Sequence, residues 1–201
     1  MSAVRQLRPH STSDSTRDRD ELFELIRTRS FLAAEEGHEF TLASGEKSRW
    51  YFNLKPTMMN ARGNTLAARA FIELLAEQGF DYIGGLEMGA VPIMGAIAAL
   101  SEVSGCPIET IFVRKEKKGH GTKKLVEGLA PEETLEAKRV IVIDDVATKG
   151  GSILQAVEAM RNEGAIVDTA VVLLDRDEGA RALLKANGIV LESVFHKNDF
   201  V

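Results

Sequence analysis

Cysteine is nearly absent. Cys106 is the only one in 201 residues, which excludes an intrachain disulfide framework or a cysteine-based zinc cluster and suits a reducing compartment. Positive charge is not in excess either: 25 Lys and Arg stand against 30 Asp and Glu, a net charge of −5. That balance argues against generic binding to nucleic acid or to an anionic membrane, so an anionic partner requires a local basic patch. No apolar run approaches the ~20 residues that span a bilayer. A positively charged segment followed by an apolar one is missing at the N-terminus, so no secretory signal is expected, and Asp14, Asp18 and Asp20 speak against a transit peptide. Internal repeats and low-complexity linkers are lacking too. What is present is ordinary globular material, 44% hydrophobic and 27% charged, enough for one generous domain. The expectation is a soluble, cytoplasmic protein.

Residues 1–20 are polar and aperiodic and are expected to form a disordered extension, leaving a single domain over 21–201. From Glu21, Leu22, Leu25, Ile26, Phe31 and Leu32 fit a helix that stops near Gly37. Phe40-Thr41-Leu42, a Ser44-Gly45 turn and Trp50-Tyr51-Phe52 predict an aromatic β-hairpin. A helical period returns over Asn64 to Gln78. Strands then alternate with helices: Tyr82 to Leu86, Ile108 to Val113, Val140 to Ile143, Thr169 to Leu174 and Ile189 to Val194, with helices after most of them. Strands apolar throughout, alternating with helices, predict an α/β fold with a central, mostly parallel sheet covered on both faces. The N-terminal elements form a small hood, about residues 21–60, on a core of about 61–201. Only Arg114 to Lys138, rich in Lys and Gly, breaks the alternation, and so long a connection is usually functional or disordered.

The densest signal runs from Val140 to Ser152, where an apolar strand meets Asp144-Asp145 and then the turn Val146-Ala147-Thr148-Lys149-Gly150-Gly151-Ser152 that opens a helix. Backbone N–H groups exposed beside a helix N-terminus make a ready phosphate site. Gly150 and Gly151 let the backbone approach the ligand, Thr148 and Ser152 add hydroxyls, and the acids suit sugar hydroxyls or a Mg²⁺-bound water. The Gly-Lys-Ser/Thr ending of a Walker A loop is missing, and acids that precede the turn do not fit a dinucleotide fingerprint. The bland alternative is a tight strand-to-helix turn with an acidic cap. Asp144 to Ser152 resembles the phosphoribosyl-diphosphate motif of the type I phosphoribosyltransferases. That resemblance implies the type I phosphoribosyltransferase fold, ribose hydroxyls on Asp144 and Asp145, and a 5′-phosphate cradled by Val146, Ala147, Thr148, Lys149, Gly150, Gly151 and Ser152.

Arg114 to Gly128 is a glycine-punctuated basic segment. Closing over a diphosphate requires cations, a proton donor and hinges; Lys115 and Lys118 supply charge and His120 a proton, although many such charge runs are merely solvated. The string resembles the catalytic loop of orotate phosphoribosyltransferases, which implies diphosphate contacts from Arg114, Lys115, Lys118 and His120. Three further segments resemble the same family. Phe40 to Gly45 with Trp50 to Asn53 resembles its hood, placing Tyr51 and Phe52 against the orotate ring; Gly84 to Pro92 resembles its diphosphate-side loop; and Leu174 to Gly179 resembles the segment whose arginine, here Arg176, meets orotate. Thr148 is expected to touch the same ring. The sequence departs from many members at Ala43 and Gly89, where they carry lysines facing the diphosphate; Lys117 and Lys149 are candidates to compensate.

The resemblance thus implies an enzyme joining orotate to phosphoribosyl diphosphate, with Lys115, Lys118, His120, Asp144 and Asp145 as its catalytic set. It also implies Mg²⁺ held mainly by the substrate, with water-mediated contact to Asp144 and Asp145, and a homodimer whose basic loop reaches the neighbouring chain's site. Competing readings are a transferase for a purine, disfavoured by Arg176 and the hood aromatics, and a ligand-sensing regulator, disfavoured by the intact basic loop and the acidic net charge.

Overall fold

The computed structural model describes residues 12–41, 47–116 and 125–201. Its helices are α1 (Thr12–Arg29), α2 (Lys55–Met58), α3 (Ala61–Leu75), α4 (Val91–Val103), α5 (Gly151–Asn162) and α6 (Ala180–Ala186). Its strands are β1 (Phe31–Ala33), β2 (Phe40–Thr41), β3 (Lys47–Ser48), β4 (Trp50–Phe52), β5 (Tyr82–Leu86), β6 (Glu109–Val113), β7 (Val126–Glu127), β8 (Arg139–Ala147), β9 (Ile166–Asp175) and β10 (Val190–His196).

One six-stranded sheet carries the molecule, in the order β10-β9-β8-β5-β6-β7. All neighbours are parallel except β7, which runs antiparallel to β6. The continuous apolar run of β8 follows from burial on both faces. Ile141 and Ile143 pack into the core shared with α1, α3 and α4, while Val140 and Val142 pack into the one shared with α5 and α6. Each side chain of this size contributes roughly 1.5–3 kcal/mol when fully buried, so this strand is among the firmest supports of the site.

The N-terminal helix starts at Thr12, ahead of the expected Glu21, and ends at Arg29 instead of near Gly37. Its first turns carry no apolar stripe; ion pairs dock them on α3. Asp18 meets Arg69 at 2.6 Å and Arg62 at 3.4 Å, and the Ser15 hydroxyl donates to Glu73 at 2.7 Å. Leu22 and Ile26, one turn apart, then bury completely. Residues 12–20 therefore belong to the fold; residues 1–11 lie outside the described part.

The expected hairpin is divided. Trp50-Tyr51-Phe52 pairs not with Phe40-Thr41 but with β1, in the register Phe31↔Phe52, and β2 pairs instead with β3. The Ser44-Gly45 turn and Ala43 lie outside the described residues. Aromatic packing selects this pairing: Phe31 sits 4.9 Å from Phe52 and 5.8 Å from Trp50 between ring centroids. Phe200 joins them, 5.5 Å from Phe52 and 4.6 Å from Phe23. Such pairs add about 0.5–1.5 kcal/mol each beyond burial, and they seat the hood on the chain's C-terminal segment.

Candidate active site

Between β5 and β8 the chain changes direction across the sheet. From β5 it passes to β6 on one side and only later returns to β8 on the other, so the loops leaving the carboxyl ends of β5 and β8 part. That is where open α/β sheets bind ligands. A cleft of about 350 Å³ lies there, lined by Glu87, Met88 and Gly89 after β5, by Asp144 and Asp145 on β8, and by Ser152, Lys115 and Lys55.

β8 does not stop at Ile143. Its ladder with β9 continues through Asp144↔Val172 to Ala147↔Asp175, holding both acids on rigid backbone. Asp144 is 7% exposed. Its Oδ1 accepts the Asp145 N–H at 3.0 Å, and Asp145 Oδ1 accepts the Val146 N–H at 2.9 Å. The β5 loop presses on the pair: a Cβ at Gly89 would lie 2.7 Å from Asp144 Oδ1 and 2.9 Å from Asp145 Oδ1. The two carboxylates therefore sit side by side, with glycine the residue that fits against them. Burial, and next the Asp145 carboxylate, push the Asp144 carboxyl up to about 8, against the pull of the Asp145 N–H and the Lys55 charge. Lys55 is the cation whose charge acts on Asp144.

The turn that follows leads directly into the N-terminus of α5. Gly150 adopts φ +85° as the N-cap of α5, a conformation that costs a non-glycine residue roughly 1–2 kcal/mol. A Cβ there would also come 3.2 Å from Ala180 Cα. The Thr148 carbonyl accepts the Ala180 N–H at 3.1 Å, so α6 braces the turn from behind. Ser152, in the first turn of α5, faces the cleft.

The basic segment is closed at its root. β7, too short to show a period in the sequence, pairs Val126 with Val113 and Glu127 with Phe112, and the Arg114 N–H donates to Leu125 O at 2.9 Å. Glu87 ties this root to the β5 loop: its own N–H donates to Val113 O at 2.8 Å, and its carboxylate accepts the Lys115 N–H at 2.9 Å. Lys115 thus stands at the cleft. Lys118 and His120 lie outside the described residues.

Arg176 follows β9 immediately. Its N–H donates to Ala147 O at 2.9 Å, so it stands beside Thr148 at the sheet's carboxyl edge. The residue is 6% exposed, its guanidinium meets Glu178 at 2.7 Å, and its Nε has no partner among the described residues. Asp175 holds the segment by accepting the Asp177 N–H at 2.9 Å and pairing with Arg181 at 3.0 Å. Asp177, at φ +54°, meets His196 Nδ1 at 3.2 Å. Thr148, Arg176 and Tyr51 do not line the cleft around the acids; the first two share the adjacent strand ends. Tyr51 is 37% exposed and packs beside Phe40. Phe52 is 6% exposed inside the hood's aromatic cluster, so its ring anchors the hood and is not free to cover a ligand.

Glu87 lies within the Gly84–Pro92 segment, but the tie of its carboxylate to the distant Lys115 backbone is encoded by no local pattern; Lys55 has no motif in the sequence at all. Lys55 precedes Pro56 in the first turn of α2, and its proximity to the acids exists only after the hood folds over the sheet.

The phosphoribosyl transferase domain model matches residues 57–197. The chain is 50% identical over 183 residues to orotate phosphoribosyltransferase of Bradyrhizobium sp. strain BTAi1, covering 91% of this chain and 97% of the relative. The corresponding protein of Aquifex aeolicus is 40% identical over 92% of this chain and 98% of its own length. Among solved structures, Mycobacterium tuberculosis orotate phosphoribosyltransferase in complex with 5-phospho-α-D-ribosyl 1-diphosphate superposes with a TM-score of 0.73 at 32% identity, covering 91% of this chain and 98% of that one. With the acid pair, the phosphate turn and the switch-point cleft in the arrangement described, the chain belongs to the orotate phosphoribosyltransferase family.

Proposed function

We infer that this chain transfers the 5-phosphoribosyl group from phosphoribosyl diphosphate to orotate, giving orotidine 5′-monophosphate and diphosphate in pyrimidine nucleotide synthesis. The observation that carries the reading is the paired Asp144 and Asp145 at the switch point, followed at once by the Gly150-capped turn and flanked by the tethered root of the basic segment.

In this reading the 5′-phosphate rests on the N–H groups and hydroxyls of Val146 to Ser152, at the positive end of α5. The ribose hydroxyls meet Asp144 and Asp145, which orients the sugar and keeps its anomeric carbon over the cleft. As the bond from that carbon to the diphosphate oxygen breaks, its electron pair leaves on the diphosphate and the sugar gains oxocarbenium character. Lys115, joined by Arg114, Lys118 and His120, stabilises the charge growing on the leaving group, and His120 donates a proton to it. A ring nitrogen of orotate then forms the new bond; orotate ionises at its ring, so no strong protein base is needed. Arg176 reads the planar oxygens of orotate with its guanidinium fork, Thr148 contacts the same ring, and Tyr51 covers it. The donor set also fits Mg²⁺, because Asp144 and Asp145 offer adjacent hard carboxylate oxygens. When bound, Mg²⁺ supplies neutralising charge to the diphosphate and ribose oxygens, with the two acids holding it through water.

The active form is proposed to be a cytoplasmic homodimer, the basic loop of one chain serving its neighbour's cleft. Two-fold dimers are the commonest oligomers, and no described helix is long and apolar enough to cross a membrane. The test is loss of orotate ultraviolet absorbance in the presence of phosphoribosyl diphosphate and Mg²⁺. Orotate is expected to be consumed and adenine, hypoxanthine and uracil left untouched; consumption of a purine in place of orotate overturns the assignment of the base.

A further inference from the structure

The cleft is poor in cations for the ligand it is assigned. Among the described residues that line it, Glu87, Asp144 and Asp145 carry acid groups, and only Lys55 and Lys115 carry positive ones. Glu87 is engaged with the Lys115 backbone and not with its ammonium. The β5 loop carries no cation of its own, with Gly89 set against both aspartate side chains. Besides Lys115, positive charge for this wall of the cleft comes from an element outside the sheet.

Lys55 is placed to supply it. Its backbone is held firmly: the neighbouring Leu54, Thr57 and Met58 are buried, Thr57 Oγ1 lies 2.6 Å from Ser30 Oγ, and the Lys55 N–H donates to Asn53 Oδ1 at 3.3 Å. The side chain itself is exposed to the cleft and forms no ion pair among the described residues. It reaches the acid pair closely enough for its charge to act on Asp144. Arg29, the nearby cation at the end of α1, turns away to Pro56 O.

We propose that Lys55 is a substrate-binding residue: it takes an anionic oxygen of the diphosphate when phosphoribosyl diphosphate binds. This rests on the reading of the cleft as a phosphoribosyl diphosphate site. The 5′-phosphate already has the Val146–Ser152 turn and its N–H groups, whereas on the diphosphate side the β5 loop lines the cleft without a cation and Lys115 is the other lysine that lines it. Lys55 therefore belongs to the diphosphate and not to the 5′-phosphate.

The test uses the full chain and its Lys55→Met and Lys55→Arg variants, with calorimetric titration of phosphoribosyl diphosphate, inorganic diphosphate and ribose 5-phosphate in Mg²⁺ buffer. Losing a charged partner costs ~1.5–3 kcal/mol, about ten- to a hundred-fold in affinity. Lys55→Met should weaken phosphoribosyl diphosphate and diphosphate by that factor, leave ribose 5-phosphate within about twofold, and keep the parent's melting temperature. Lys55→Arg, which retains the charge, should recover most of the loss. Unchanged diphosphate affinity in Lys55→Met overturns the proposal. So does equal weakening of ribose 5-phosphate, which would mean that Lys55 acts only through the aspartates. A parent that binds phosphoribosyl diphosphate but consumes a base other than orotate defeats only the assignment of the base, and the three titrations still decide the role of Lys55. A parent that binds none of these ligands defeats both.

Discussion

Replacing Asp144 with Asn should stabilise the ligand-free protein while destroying its activity. Asp144 is 7% exposed and lies beside Asp145, and its carboxyl is pushed up to about 8 from an ordinary value of 3.8. Between those values the unfolded chain carries an ionised Asp144 and the folded chain a neutral one, so folding takes up a proton. Stability is then fully present below pH ~4 and falls as pH rises through the folded value, by at most ~1.4 kcal/mol per pH unit for one proton. Asn has nearly the same shape, still accepts the Asp145 N–H now bound at 3.0 Å, and has no proton to lose. From about pH 5 to pH 7.5 the parent should therefore lose ~1–3 kcal/mol that the variant keeps, roughly 3–10 °C in melting temperature for a chain of this size. Thermal melts of both proteins across that range, without Mg²⁺ or nucleotide, are the assay. Adding phosphoribosyl diphosphate and Mg²⁺ should reverse the order, because only the parent keeps both carboxylates the ligand uses. Parallel melting curves with the variant below the parent at every pH would refute the reasoning, since Asp144 would then be a structural acid paid for within the fold.

The phosphate turn predicts a second effect: Gly150→Ala, forced to φ +85° against Ala180, should lose ~1–2 kcal/mol of stability and bind ribose 5-phosphate more weakly, whereas an unchanged melt would mean the turn relaxes freely. Arg176→Lys should weaken orotate about ten- to a hundred-fold and leave phosphoribosyl diphosphate nearly unchanged in equilibrium titrations; equal weakening of both would make Arg176 a structural arginine. Mixing a Lys118→Ala protein with an Asp144→Asn/Asp145→Asn protein should restore one working site per mixed dimer, and absence of activity after demonstrated subunit exchange would place the loop in its own chain's cleft.

The sheet was legible because its strands are buried on both faces. A run such as Val140-Ile141-Val142-Ile143 has few alternatives to a central parallel strand, and β5, β6, β8, β9 and β10 all fall where the apolar runs lie. The hood is less legible, for reasons of range. Helix α1 gains its first turns from two ion pairs and a serine hydrogen bond across 44 to 58 residues of chain, which leave no periodic trace. Exposed pairs of this kind contribute ~0–1 kcal/mol each, so several must act together before the helix extends. The choice of β1 over β2 as partner for Trp50-Tyr51-Phe52 depends on Phe31 and Phe200, one upstream and one at the far end of the chain. Turn residues alone favour the local hairpin.

The site divides along the same line. Residues contiguous in sequence, Asp144 to Ser152, could be read directly, because one strand-turn-helix unit sets their mutual geometry. Arg176 could be placed because parallel strands in register bring equivalent ends together: Ala147 faces Asp175, so Thr148 and Arg176 must be neighbours. Phe52 could not be separated from Tyr51 by composition, and only the alternation of β4 decides between them, turning Phe52 into the aromatic cluster and Tyr51 outward. Lys55 stands furthest from any pattern. It belongs to a four-residue helix whose position depends on that same aromatic cluster, and its charge matters only because the fold brings it to two aspartates nearly ninety residues away. Where a ligand's charge is met by several elements, the cation from the least regular one is the hardest to foresee.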